Sequence, residues 1–141
     1  MKTIQGSCLC GGVVFQVAKA PLSYLYCHCR SCRKTTGSVH AANIAFAKDA
    51  LEWVQGEDLV QRYVDQTENP GYSRWFCKNC GSFVPCLTRK QDFWVVPSGL
   101  LDEDPGIRPS AQIFWEEHVP WGAAVESLPK HDGGGPYRKN V

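Results

Sequence analysis

The chain has 141 residues, a formal net charge of +1 at pH 7 and 43% hydrophobic residues. This length is typical of one domain, and the composition excludes wholesale disorder because it supplies enough apolar surface for a core. There is no run of about 18 apolar residues, so no transmembrane helix is predicted. The near-neutral charge does not favour a nucleic-acid partner, which usually requires a basic patch.

The predicted elements are mostly short strands separated by Gly, Asn and Pro, which is typical of an antiparallel sheet or sandwich. In chain order the predicted strands cover residues 13–17, 38–46, 51–54, 59–64, 74–77, 83–87, 93–96 and 112–115. The short connection 55–58 predicts a hairpin between the third and fourth of these. One short helix is predicted over residues 29–36, with Gly37 as its C-cap.

Eight cysteines are the most informative part of the composition. The first eight residues lack the apolar stretch of a secretory signal, so we expect a cytoplasmic protein in a reducing compartment. Clustered thiols in such a compartment bind metal more often than they form disulfides. The cysteines are therefore candidate metal ligands.

Two cysteine pairs form turn motifs of the kind that bind zinc. Cys8 and Cys10 form a C-x-C pair, Cys77 and Cys80 form a C-x-x-C pair, and a glycine follows each pair. Zinc takes four ligands in a tetrahedron, so two such pairs complete one structural site. We pair these two because their chemistry is alike and the third cluster differs. The alternative is that one or both pairs form disulfides or are buried thiols.

The third cluster is a C-x-C-x-x-C motif formed by Cys27, Cys29 and Cys32. It offers three thiolates from one loop and the first turn of the predicted helix. Three ligands leave a fourth position for substrate or water, which is the pattern of a catalytic zinc site. The alternative is a closed structural site, completed by a partner chain or by one of three nearby candidates, Cys86, His28 and His40.

Cations are expected beside this third cluster, because three thiolates on one divalent ion carry net negative charge. The sequence supplies three such cations, Arg30, Arg33 and Lys34. The alternative is that they form a solvated helix face, and for Lys34 this alternative is at least as good. Cys86 lies in an apolar segment, and we interpret it as a buried structural thiol.

Three motifs in this order resemble those of the glutathione-dependent formaldehyde-activating enzyme family, which includes centromere protein V. They are residues 6–12 (GSCLCGG), 27–37 (CHCRSCRKTTG) and 76–82 (FCKNCGS), and the likeness runs on to the Pro-Trp at Trp121. The resemblance implies a mainly β, Mss4-like fold of two stacked antiparallel sheets, with a short helix at the C-x-C-x-x-C loop. We expect one zinc-binding domain over residues 1–128 and a flexible tail over 129–141, which is rich in glycine and basic residues.

The resemblance also implies two zinc ions per chain. One would be structural, on Cys8, Cys10, Cys77 and Cys80, and one of catalytic type, on Cys27, Cys29 and Cys32. Members are catalogued as carbon–sulfur lyases, named for adding glutathione to formaldehyde to give S-hydroxymethylglutathione. Many carry a histidine where this chain has Gln112. If that histidine assists substrate binding, the substrate of this chain differs.

The hypothesis from the sequence is a zinc-dependent carbon–sulfur lyase of the S-hydroxymethylglutathione synthase type, acting on a small-molecule thiol and an aldehyde. Zinc on the three-cysteine cluster would bind the substrate thiol and lower its pKa. Arg30 and Arg33 would hold the carboxylates of an anionic thiol such as glutathione. The rival hypothesis is a zinc-stabilised protein-interaction or nucleic-acid-binding module without turnover.

Overall fold

The computed structural model describes residues 2–122 and 125–136, which contain eleven strands and one α-helix. The helix α1 spans Arg30–Thr36. The strands are β1 (Ile4–Ser7), β2 (Val14–Val17), β3 (Ser23–Cys27), β4 (Ala41–Ala47), β5 (Leu51–Gln55), β6 (Val60–Val64), β7 (Ser73–Cys77), β8 (Phe83–Val84), β9 (Cys86–Leu87), β10 (Phe93–Pro97) and β11 (Ala111–Ile113). The predicted fold class, mainly β with one short helix, is confirmed.

The strands form three sheets, in the orders β1-β2-β5, β11-β3-β4-β10-β9 and β6-β7-β8. Two antiparallel sheets were expected. The paired strands are antiparallel except for β11, which runs parallel to β3. No helix in the described ranges is both long enough and apolar enough to cross a membrane.

Three tryptophans join the three sheets within one core. Trp53 on β5 and Trp75 on β7 both make edge-to-face contacts with Trp94 on β10, at centroid distances of 5.8 and 5.7 Å. The Trp94 indole N–H donates to the Lys48 carbonyl at 2.9 Å, so its polar atom is satisfied. Such aromatic pairs contribute about 0.5–1.5 kcal/mol beyond the apolar area they bury.

The predicted hairpin between 51–54 and 59–64 is wrong. β5 pairs with β2, whereas β6 pairs with β7 in a different sheet. Gly56 adopts a left-handed conformation (φ 77°) and a 3₁₀ turn follows at Glu57–Leu59. These two features lead the chain out of one sheet and into another.

Other predicted strands differ at their ends. Pro85 divides the predicted strand 83–87, because proline cannot donate to a sheet ladder. Thus β8 pairs with β7 while β9 pairs with β10.

The last predicted strand is shorter than expected. Phe114 has φ 53°, which ends β11 at Ile113. β1 and β3 were not predicted, and β4 begins at Ala41 rather than at residue 38.

The predicted tail over 129–141 is described only to residue 136. Residues 129–136 are exposed except for Gly135, which is half-buried. Residues 137–141 lie outside the described residues. The domain boundary at residue 128 and the flexibility of the tail stay predictions.

We expect Gly56→Ala to destabilise the fold by about 3 kcal/mol or more, because two costs combine. A Cβ at Gly56 would lie 1.9 Å from the Gly12 carbonyl oxygen, and the left-handed φ adds strain. Gly106→Ala is the matched control, since Gly106 has φ 74° and open space around its Cβ position. Denaturant unfolding measures both variants, and equal losses would contradict the close approach at Gly12.

Candidate metal centres and substrate site

The four sulfurs of Cys8, Cys10, Cys77 and Cys80 lie within 4.8 Å of one another. The Cys8–Cys10 and Cys10–Cys77 sulfur distances are 3.6 and 3.9 Å. A tetrahedral zinc ion with bonds of about 2.3 Å separates its sulfur ligands by about 3.8 Å. The donor chemistry and the spacing therefore fit one zinc ion.

Two tight turns place these four thiols. Backbone N–H groups of Val13 and Gly12 donate to the sulfurs of Cys8 and Cys10, at 3.3 and 3.4 Å. The Leu9 N–H donates to the Ser82 hydroxyl oxygen at 3.0 Å, which joins one turn to the other. Contacts with the side chain and the backbone N–H of Ser82 lower the pKa of Cys80 to about 5, which favours the thiolate that binds metal.

The second cluster forms where β3 meets α1. Cys27 ends β3, Cys29 is the N-cap of α1, and Cys32 lies in the first turn. The Cys29 sulfur accepts the Cys32 N–H at 3.3 Å, and Gly37 ends the helix as predicted, with φ 66°. The three sulfurs lie within 4.8 Å of one another. This arrangement is suited to a metal ion held on one side only.

The structure does not bring the candidates for a fourth protein ligand into this cluster. Within the ranges 2–122 and 125–136, the group of converging donors contains neither Cys86 nor a histidine. The Nε2 of His28 donates to the Gln112 side-chain oxygen at 2.8 Å, and His40 contacts the Ala41 carbonyl at 3.1 Å. A closed four-ligand site therefore has no support from these side chains.

A buried guanidinium, which the sequence analysis missed, faces the second cluster. Arg74 is 4% exposed, and its Nη2 lies 3.6 Å from the Cys32 sulfur. Its Nε donates to the Tyr72 hydroxyl at 2.8 Å. Arg74 takes part in none of the ion pairs between described residues. Because a buried charge is costly without a counter-charge, the Cys32 thiolate is the anion that compensates Arg74.

The three thiols share their protons unevenly. Hydrogen bonds from the Cys27 and Cys29 thiols lower the pKa of Cys32 to about 2, and Arg74 and the Tyr72 hydroxyl act in the same direction. The same thiol contacts raise the pKa of Cys27. Of the three thiols, Cys32 therefore loses its proton most readily.

One signal in the sequence could have identified Arg74. It is the single charged residue of β7, and Trp75, Phe76 and Cys77 follow it. A cation in a short apolar strand that leads into a metal-binding turn requires a buried anion. The anion lies 42 residues away in the chain, so only the tertiary structure identifies it.

The predicted substrate cations lie at the edge of the site. Arg30 forms an exposed ion pair with Glu68, and the Arg33 Nε donates to the His28 carbonyl at 3.3 Å. Lys34 is exposed on α1. A different arginine, Arg89, lines a cavity beside Cys32.

We call this space of about 260 Å³ the polar cavity, because its lining includes the polar or charged side chains of Asn43, Arg74 and Arg89 beside Cys32, together with apolar surface. The Arg89 side chain crosses Gly71 so closely that a Cβ there would lie 2.4 Å from its Nε. Two guanidinium groups, one buried and one exposed, thus border the same space as the Cys32 thiolate. Guanidinium groups suit the recognition of carboxylates.

Gln112 contacts the cysteine loop at His28. His28, which is 6% exposed, contacts Gln112 and lies 4.9 Å from the Trp115 ring centroid. The His28 Nδ1 has no hydrogen-bond partner among the described residues. His28, Gln112 and Trp115 line a separate cavity of about 570 Å³. Gln112 is therefore linked to the cysteine loop through the His28 ring.

Comparisons with known proteins show the family of this chain. The profile of the family described as "Glutathione-dependent formaldehyde-activating enzyme" matches residues 3–117. A Halomonas elongata protein named "Putative glutathione-dependent formaldehyde-activating enzyme" is 35% identical over 129 residues, covering 88% of this chain and 82% of its own. The chain belongs to the glutathione-dependent formaldehyde-activating enzyme family.

A solved structure supports the Mss4-like fold that the resemblance implied. It is the crystal structure of a Rhodobacter sphaeroides protein, 23% identical, with a TM-score of 0.59. The alignment covers 77% of this chain and 98% of the other.

We expect the metal content to follow the two clusters. Cys80→Ser and Cys29→Ser should each lose about one bound metal ion per chain, because each removes a ligand from a different group. Cys86→Ser is the control for a buried thiol outside both groups, and it should keep the wild-type content. Elemental analysis of folded protein measures this, and metal loss in Cys86→Ser would contradict the ligand assignment.

Proposed function

We propose that the chain is a zinc-dependent carbon–sulfur lyase that joins a thiol of the glutathione type to an aldehyde. Each cysteine cluster would hold one zinc ion, giving two per chain. The observation that carries the proposal is the convergence of Cys27, Cys29 and Cys32 beside a cavity bordered by Arg74 and Arg89. The family membership supports the same chemistry.

The two clusters have different roles in this proposal. The group of Cys8, Cys10, Cys77 and Cys80 ties two distant turns together and holds the fold. A zinc ion on the three-cysteine cluster would supply an open coordination position that binds the substrate thiol and lowers its pKa. Arg74 offsets the negative charge that the Cys32 thiolate brings to this centre.

The reaction is an addition and needs no other reactant. The thiol sulfur forms a bond to the carbonyl carbon, and the π pair of the carbonyl moves to its oxygen. The proton lost by the thiol ends on that oxygen, which gives a hydroxyalkyl thioether. The protein holds the two reactants together, so that their reaction no longer depends on a bimolecular encounter. It also stabilises the thiolate.

Carboxylates of the thiol substrate would bind in the polar cavity. Arg74 and Arg89 border it, and the Asn43 side chain adds a neutral polar group. Arg30 and Arg33 stay candidates for the same task, with Arg30 first having to leave Glu68. Replacing Arg89 should therefore weaken the binding of glutathione more than replacing Arg30.

The activity can be tested with zinc-loaded protein, glutathione and formaldehyde. Exchange NMR measures the rate of adduct formation against the uncatalysed reaction. We expect Cys29→Ser to lower the rate at least about a hundredfold, because it removes a metal ligand. Its melting temperature should stay near that of the wild type. Adduct formation no faster than the uncatalysed rate would favour the binding module without turnover.

The carboxylate site can be tested by titrating glutathione and 2-mercaptoethanol into arginine variants. One charge-assisted contact contributes about 1.5–3 kcal/mol, so Arg89→Ala should weaken glutathione binding about tenfold or more. The uncharged thiol should be almost unaffected. Calorimetry of Arg30→Ala and Arg33→Ala provides the comparison. A larger loss of glutathione affinity in these two variants than in Arg89→Ala would show that the carboxylates bind at the α1 surface instead.

A further inference from the structure

A second, apolar cavity adjoins the three-cysteine cluster. Its volume is about 330 Å³, and Cys27 is part of its lining together with the apolar side chains of Leu25, Ala45, Phe93, Val95 and Ile113. This volume is at the lower end of the range for small-molecule pockets, which are mostly apolar. No step of the proposed reaction explains an apolar cavity at this position.

The strand register explains why this cavity exists. Leu25 and Cys27 lie two residues apart on β3, and Asn43 and Ala45 lie two residues apart on β4. These side chains share the outer face of the sheet, because residues two apart in a strand point the same way. The alternate residues of β4, Ile44 and Phe46, are fully buried in the core on the other face. At the centre of the outer face the small Ala45 lies opposite Ser23 and Val95, which leaves room for a ligand.

The apolar and polar cavities meet at the cysteine cluster. Asn43 and Val95 line both of them. Cys27 borders the apolar cavity and Cys32 the polar one, and their sulfurs lie within 4.8 Å of each other. A molecule with a sulfur at the cluster can therefore extend a charged part into one cavity and an apolar part into the other.

We propose that the aldehyde substrate carries an apolar chain of several carbons, which binds in the apolar cavity while the thiol's carboxylates bind in the polar one. This inference rests on the proposed function. The addition joins the thiol sulfur to the aldehyde carbon, so the product presents both groups from one sulfur. Formaldehyde has no substituent to fill the apolar cavity. Each buried methylene strengthens binding about fourfold.

A series of S-alkyl glutathiones tests the inference, since these stable thioethers resemble the adduct and need no turnover. Calorimetric titration of the S-methyl, S-butyl and S-hexyl compounds gives their dissociation constants. In the wild type we expect S-hexylglutathione to bind at least about fiftyfold more tightly than S-methylglutathione. Ala45→Phe should fill the cavity and abolish this gain while leaving the S-methyl affinity within about threefold.

Val54→Phe is the matched control, because it adds the same ring to an exposed strand position outside both cavities. It should reproduce the wild-type gain. Equal affinities across the series in the wild type, or a full gain in Ala45→Phe, would overturn the inference. A third outcome would also overturn it: the wild type is a dimer with equal affinities across the series, and Ala45→Phe makes it a monomer. The outer face of the sheet would then bind a second copy of the chain.

The two proposals fail separately in this design. Exchange NMR with formaldehyde and with hexanal reports turnover, whereas the thioether titrations report the cavity. A steep thioether series without turnover supports the apolar cavity and removes the lyase assignment. Equal thioether affinities together with rapid formaldehyde turnover support the lyase assignment and overturn the apolar cavity as a substrate site.

Discussion

The contact between the Arg74 guanidinium and the Cys32 thiolate is the interaction on which the site depends. It joins β7 to α1 across 42 residues of sequence, and both side chains are buried. Breaking a buried charge pair by removing one partner costs about 3–5 kcal/mol, because the other charge is left uncompensated. The same strand carries Cys77, a member of the four-cysteine cluster. β7 therefore couples the structural centre to the centre at which we place the chemistry.

The five-stranded sheet uses its two faces differently. Its inner face packs Ile44, Phe46 and Val96 into the core, where none of the three is exposed. Its outer face carries Asn43 and Ala45 on β4, and both of these side chains line the apolar cavity above the sheet. A single strand thus contributes to stability with one set of side chains and to the substrate cavities with the alternate set. Substitutions of Asn43 or Ala45 therefore change the cavities without removing a side chain from the main core.

Features set by neighbours in sequence could be predicted, and features set by distant contacts could not. The cluster of Cys27, Cys29 and Cys32 and the Gly37 cap follow from short spacings that fix local geometry. The four-cysteine cluster joins two turns that are distant in sequence, and it was predicted because zinc needs four ligands and the two pairs have like chemistry. The pairing of β5 depends on contact with β2, about 35 residues earlier, so the local spacing suggested a hairpin that does not form. Arg74 was missed for the same reason. The second cavity depends on register between three strands, and no local pattern encodes that register.

Gln112 adds an uncharged contact behind the cysteine loop. A side-chain amide oxygen can only accept, so the proton of a neutral His28 lies on Nε2 and its buried Nδ1 carries the lone pair. The His28 N–H donates to Ile113 of the same strand at 3.0 Å, so β11 holds both the backbone and the ring of this residue. Cys27 and Cys29 flank His28, and their backbone is fixed by this double attachment. A histidine at position 112 could carry a positive charge, whereas glutamine contacts His28 as a neutral group at every pH. The residue at 112 therefore contacts the cysteine loop through the ring of His28.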